Sequence, residues 1–468
     1  MEKRIRIWNT LSGKKEKIPA RRGKPIRLFV CGPTVYDLTH IGHARTYVFF
    51  DFFVKYLRMK GLPVQYIQNI TDVDDKIIRR AKEEGKEPLT FSKALTKSYL
   101  ADIKRFGVDT VDTYAPSTKF IPEIVGQVEQ LIKKGVAYKI EGDGYYFDIA
   151  RFPGYGKLSR RNVAQAEDSV SRIDDSIGKH NKGDFCLWKF SKPGEPAWNT
   201  PLGKGRPGWH IEDTATSEHF FGPQYDIHGG GLDLKFPHHE AEIAQQEAAS
   251  GKVPFVKLWM HAGMLTVNGE KMSKSLGNFI TVAQFLEKHS PEAFRFIIFS
   301  HHYRMPLDYS DELAGTATQT LEGVRMLLGR IIFAQNSLAH AGKKAISLSR
   351  HAREFERALL DDINTPQALA AIFSAIRDFQ PHIWNLKKTS LAAFEKFVRE
   401  HFGTFGITFS MPVIPPQAQT YAEEREKARR NQQFVQSDAL RRRLHALGYV
   451  VEDTPNGSFV WPKKVQQG

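Results

Sequence analysis

The sequence predicts an α/β fold in which two halves of one sheet are separated by an insertion and followed by a helical bundle and a small C-terminal domain. Three observations predict it. Short apolar runs, Arg27-Leu28-Phe29-Val30 and Val64-Gln65-Tyr66-Ile67, read as buried strands, and the first gives way at Gly32-Pro33 to a helical pattern through Tyr47, Phe50, Phe53 and Leu57. From about 136 to 200 the chain turns rich in Gly, Tyr, Lys and Asp, with alternating pieces such as Tyr145-Tyr146-Phe147-Asp148, before strand, loop and helix patterns return from Trp209 to about Ile280. From Pro291 to about Phe405 the periodicity is mainly helical, and Met411-Pro412-Val413-Ile414-Pro415-Pro416 reads as a linker to the tail.

Composition narrows the class. The 468 residues suit about three domains, with ample material for a core. Hydrophobic content is 41%, yet no apolar run could span a bilayer, and the polar start Met1-Glu2-Lys3-Arg4 is unlike a secretion signal. A cytoplasmic protein with no membrane partner is expected. Two cysteines, Cys31 and Cys186, exclude a disulfide framework and favour a reducing compartment. The formal charge of +15 suits a polyanionic partner.

The first chemical signal is His40-Ile41-Gly42-His43, nine residues beyond Cys31, where the loop opens the helix. A helix N-terminus offers unpaired N–H groups and a positive dipole end, both favourable to phosphate. Neutral imidazoles can donate hydrogen bonds to developing charge without imposing a permanent one. The second signal follows the turn Val267-Asn268-Gly269-Glu270: Lys271-Met272-Ser273-Lys274-Ser275, two lysines bracketing small residues on a loop that could close over a triphosphate. The third is Pro237-His238-His239-Glu240-Ala241-Glu242, which puts His238 and Glu242 at i and i+4 on one helix face, a spacing able to hold two positions on zinc, with Cys31 as a soft third ligand.

Together the histidine and lysine motifs resemble the two-part nucleotide clamp of class I aminoacyl-tRNA synthetases. Adding Cys31-Gly32-Pro33-Thr34-Val35-Tyr36-Asp37, Thr71-Asp72-Val73-Asp74-Asp75-Lys76, Gly208-Trp209-His210-Ile211-Glu212 and Asp226-Ile227-His228-Gly229-Gly230-Gly231, all in the family's order, the chain resembles the cysteinyl-tRNA synthetases over essentially its whole length. The resemblance implies a Rossmann-type parallel-sheet catalytic core split by a connective insertion. Its halves would be 1–135 and 201–290, with the insertion at 136–200. A stem-contact segment and helical bundle of DALR type would follow at 291–405, and a linker with an anticodon-recognition domain at 406–468.

The same resemblance implies the chemistry. His40, Gly42 and His43, with Lys271, Ser273 and Lys274, would bind ATP, and His40, His43, Lys271 and Lys274 would stabilise the transition state. Cys31, Gly32, Thr71, Trp209 and His228 would bind L-cysteine. The zinc ligands would be Cys31, Asp213, His238 and Glu242. Asp213 departs from the pattern, since the family normally has a cysteine there; a hard carboxylate oxygen replaces a soft thiolate. One zinc per chain, Mg²⁺ with the nucleotide, tRNA(Cys) as acceptor and a monomeric state are the further expectations. In the tail, Glu423–Arg430 and Ser437–Leu444 put cations along helices, and Trp461 would offer a flat side chain to splayed bases. Two alternatives share parts of this pattern: a ligase joining cysteine to an amino sugar, as in the mycothiol pathway, and a catalytically silent tRNA-binding paralogue.

Overall fold

The computed structural model describes residues 5–21, 23–161, 177–273 and 276–463 of the chain. It divides into two compact units, Met1–Ser310 with Leu359–Thr365, and Asp311–Ala358 with Pro366–Gly468.

At the centre of the first unit lies a five-stranded sheet in the order Val256–Ala262, Tyr225–Gly231, Ile26–Val30, Val64–Ile70, Thr113–Pro116. Every pairing in it is parallel. Parallel strands need crossovers that cover both faces, which explains why these strands read as nearly continuous apolar runs. The first crossover is helix Ile41–Met59, whose phenylalanines Phe49, Phe50, Phe52 and Phe53 are all buried. Phe50 lies so close under Tyr225–Gly231 that a Cβ on Gly229 would come within 2.3 Å of its ring. Chain order runs outward from Ile26–Val30 in one direction and resumes on its other side with Tyr225–Gly231. That reversal leaves a crevice beyond the carboxyl ends of the two central strands.

The insertion forms a second five-stranded sheet, antiparallel wherever its pairings are defined. It begins at Ala137–Ile140, and strand Gly203–Pro207 lies past the limit of 200 expected from composition. Its core residues Phe147, Leu187 and Trp188 pack with Ile124 and Val128 of helix Ile121–Lys133, and with Ile211, Ala215, Ala241 and Ala244. The last four belong to helices Ile211–Phe221 and His238–Ser250, so the insertion's core also fixes the helices that carry Asp213, His238 and Glu242.

Residues Leu359–Thr365 complete the first unit. The Asp362 carboxylate, 1% exposed, accepts from Trp8 N–H at 2.8 Å, Tyr303 Oη–H at 2.8 Å and Arg304 Nε–H at 2.9 Å. In the second unit, helix Asp311–Asn336 packs on Lys388–Thr404, and the tail is the helix pair Pro416–Arg430 and Phe434–Ala446 followed by hairpin Tyr449–Thr454 and Gly457–Pro462. Trp461 is no stacking platform. It is buried, donates to Glu322 Oε1 at 3.1 Å, and its ring fills the space where Gly329 would carry a Cβ. Part of the basic face is also internal, because buried Arg425 pairs with Asp453 at 2.5 Å.

Candidate active site

The crevice at the strand reversal is a cleft of about 550 Å³ whose lining includes Cys31, His40, His43, Trp209, Asp213, His238 and Lys271. Cys31 ends the strand Ile26–Val30 and donates its backbone N–H to Gly229 O at 2.9 Å, tying the two central strands together at the site. Gly32 is required by close approach: a Cβ there would fall 1.8 Å from Asn69 O. Thr71 continues from strand Val64–Ile70, is buried, and donates its hydroxyl to Glu212.

His40 is the N-cap of helix Ile41–Met59. Its Nδ1 accepts from Gly42 N–H at 3.1 Å and His43 N–H at 3.4 Å. An imidazole that accepts at Nδ1 carries its proton at Nε2 when neutral, so the ring presents a donor. Burial, then His43 and Lys271, push the His40 pKa down to about 2, and burial pushes His43 to about 4. Both rings are neutral at physiological pH, and they stack with centroids 3.8 Å apart.

The lysine loop meets this helix end directly. Met272 Cε lies where a Cβ on Gly42 would come within 2.6 Å of it. Just beyond the loop, Val282 N–H donates to Thr39 O at 2.9 Å and Ile41 N–H to Ile280 O at 3.0 Å. Lys271 and Ser273 line the cleft, and Ser273 N–H donates to Asn278 Oδ1 at 2.8 Å. Lys274 lies outside the described residues.

At the other end of the cleft, Cys31, Asp213, His238 and Glu242 come together with donor atoms within 4.8 Å of one another. Cys31 Sγ is 3.0 Å from Asp213 Oδ2 and 3.7 Å from Glu242 Oε1; His238 Nε2 is 3.0 Å from Asp213 Oδ2 and 3.2 Å from Glu242 Oε1. The i, i+4 spacing thus does what helix geometry dictates. All four side chains are buried. Burial, with Asp213 and Glu242 adding repulsion, raises the Cys31 thiol well above its usual range; burial and Asp213 do the same to Glu242. Glu242 Oε2 has no hydrogen-bond partner. A thiol, an imidazole and two carboxylates sealed from water, one oxygen unsatisfied, form a donor set that a divalent cation fits and apolar surroundings do not.

Sequence reasoning missed His239 and Asn69 and gave His228 only as a cysteine-binding residue. His239 Nε2 lies 3.2 Å from Cys31 Sγ and His228 Nε2 3.1 Å from it, so Cys31, His228, His239 and Glu242 form a second group of possible ligands. His228 is completely buried behind the cleft wall, its Nδ1 2.5 Å from Tyr225 Oη. Asn69 links the two ends of the motif set, donating to Asp213 and accepting Gly32 N–H at 2.5 Å. A polar residue inside an apolar strand pattern was its only signal. Trp209 packs its ring 4.4 Å from that of His238 and lines the cleft.

Comparison with known proteins defines the class. Residues 17–319 match the family described as "tRNA synthetases class I (C) catalytic domain", residues 354–410 the "DALR domain", and residues 411–460 the "Cysteinyl-tRNA ligase anticodon binding domain". Among solved structures, the Mycobacterium tuberculosis methionyl-tRNA synthetase in complex with methionyl-adenylate aligns with TM-score 0.60 at 15% identity, over 82% of this chain and 90% of that one. The Agrobacterium radiobacter LeuRS ternary complex aligns with TM-score 0.62 at 12% identity, over 83% of this chain and 84% of that one. At such identity the likeness establishes the shared fold, that of the class I aminoacyl-tRNA synthetases.

Closer relatives settle the branch. The cysteine–tRNA ligase of Thermococcus onnurineus is 41% identical over 98% of this chain and 99% of its own length, and that of Carboxydothermus hydrogenoformans 41% over 97% and 99%. The chain belongs to the cysteine–tRNA ligase family.

Proposed function

We propose that this enzyme activates L-cysteine with ATP and transfers the cysteinyl group to tRNA(Cys). One observation carries the reading: a single cleft has a sealed thiol, imidazole and carboxylate group at one end and a histidine-capped helix N-terminus meeting a lysine loop at the other.

In this reading the cysteine carboxylate attacks the α-phosphorus of ATP and pyrophosphate leaves, with no enzyme nucleophile. The helix N-terminus and the neutral donors His40 and His43 face the phosphates, where charge develops. Lys271, with Lys274 beyond the described residues, neutralises the departing pyrophosphate, and Mg²⁺ accompanies the nucleotide. Gly32, Thr71 and Trp209 shape the amino-acid end, His228 backing it from behind Cys31. In the second step the terminal ribose hydroxyl of the tRNA takes the cysteinyl group, and positioning supplies most of the rate.

Cys31, Asp213, His238 and Glu242 would hold zinc. When bound, zinc would favour a sulfur substrate over serine, because a metal lowers a thiol's pKa sharply and an alcohol ionises reluctantly. Packing alone separates such near-isosteres by only about 10²-fold.

The decisive experiment is cysteine-dependent ATP–pyrophosphate exchange followed by charging of a tRNA(Cys) transcript, with metal content measured on protein purified without added zinc or chelator. Exchange, charging and about one zinc per chain are expected. Exchange without charging would favour the amino-sugar ligase, a reading that leaves the match at 411–460 unexplained. Transcript binding without exchange would identify a silent paralogue, and reproducibly metal-free active protein would end the zinc assignment.

A further inference from the structure

In the second unit, residues 337–349 and 380–394 contain no aspartate or glutamate, and each carries a lysine pair, Lys343-Lys344 and Lys387-Lys388. The fold joins them. Lys344 N–H donates to Asn385 O at 2.8 Å and Lys387 N–H to Lys344 O at 2.9 Å, with a parallel bridge between Lys344 and Leu386. The strap is built rather than draped. His340 accepts from Asn456 Nδ2 at Nδ1, 2.8 Å away, which leaves Nε2 protonated to donate to Leu386 O at 2.7 Å. Gly342 comes so near that a Cβ would lie 2.2 Å from Leu386 O, a close approach that only glycine permits.

The four lysines are exposed, and among the described residues none of them forms an ion pair with a carboxylate. Lys388 Nζ reaches a carbonyl, Ser337 O, at 3.1 Å. Holding like charges together without a counter-charge works against the folded state, and a polyanion relieves it. Flexible ammonium groups suit phosphate as point charges, contacting a backbone without reading bases.

We infer that this four-lysine clasp contacts the phosphate backbone of the tRNA as a sequence-independent positioning surface. The inference rests on the proposed tRNA substrate, and the unit that carries the clasp also contains the residues that match the anticodon-binding family.

The test uses the full chain with all four lysines replaced by glutamine (Lys343→Gln, Lys344→Gln, Lys387→Gln, Lys388→Gln). Affinity for a tRNA(Cys) transcript is measured directly as a function of salt, beside pyrophosphate exchange. Neutralisation should weaken binding by about tenfold or more near physiological salt and flatten the slope of log K against log salt by roughly three. Exchange, read without RNA, should stay unchanged, and arginine at the same positions should restore binding. Unaltered affinity and slope in a variant with normal exchange would overturn the clasp while leaving the enzyme reading intact. A flattened slope with no exchange, even in the unmodified protein, would keep the clasp and remove the activity. Equal loss of exchange and binding would reduce the lysines to a folding role and overturn the inference.

Discussion

Asp213 shows how a single substitution is absorbed by its surroundings. Its carboxylate is held by Asn69 and His238 and lies against Cys31, so the position keeps a negative donor where the family resemblance expects a thiolate. Asp213→Cys should raise the preference for cysteine over serine in pyrophosphate exchange, because a second soft donor suits the metal better; an unchanged ratio would show that the departure is neutral. His40 has two separable duties. His40→Ala removes both cap and donor and should cost about 1 kcal/mol of stability as well as rate, whereas His40→Asn keeps the cap and should lose exchange rate by about 10²-fold or more with stability preserved. The imidazoles also set a pH dependence. The folded-state pKa values of His40 and His43 lie at about 2 and about 4, below the ordinary 6.5. Above pH 6.5 neither state binds these protons; as pH falls from there toward 4 the unfolded chain takes up protons that the folded chain refuses, and stability drops. Denaturation midpoints measured across that window should fall, and His43→Gln should lessen the fall. At this scale the motif residues were legible because spacing and type reveal them. His239 and Asn69 were not: the i, i+4 pattern picks out His238 and Glu242 and gives His239 no role, and Asn69 acts only on groups brought from elsewhere in the chain.

Elements explain the rest of what sequence could and could not tell. The central strands and helix Ile41–Met59 were readable because burial on both faces leaves continuous apolar runs and a breaker between them. The pairing of Tyr225–Gly231 with Ile26–Val30, and so the position of the crevice, depends on crossovers that no local pattern encodes. Gly42 is where two elements meet: Gly42→Ala would press a Cβ against Met272 and the His40 ring, and displacement of that ring should cost roughly 10²-fold in kcat/KM for ATP while the protein still folds cooperatively. Trp461 was misread for the opposite reason. An aromatic near a basic tail looks like an RNA contact, yet its partners Gly329 and Glu322 stand more than a hundred residues earlier in the chain. Trp461→Ala should therefore destabilise the second unit by about 3–5 kcal/mol in thermal unfolding and leave exchange unaffected.

The whole molecule carries a formal charge of +15, and ion pairs such as Arg425 with Asp453 and Arg330 with Glu452, each neutral in sum, leave that excess unbalanced. Charge left at the surface acts on the RNA step alone, so tRNA charging should fall with added salt far more steeply than pyrophosphate exchange over the same range. Nearly equal salt dependence in the two assays would mean that the surface cations do not bind the acceptor.

The excursion Leu359–Thr365 sets a rule for dissecting the gene. A fragment stopped at Ser310 would contain each strand of the central parallel sheet, yet Arg304 and the Tyr303 hydroxyl would face an empty place where a distant aspartate belongs. A minimal catalytic piece must either run on through Thr365 or receive that heptapeptide by a designed linker, so a cut after Ser310 cannot mark the boundary of the working part.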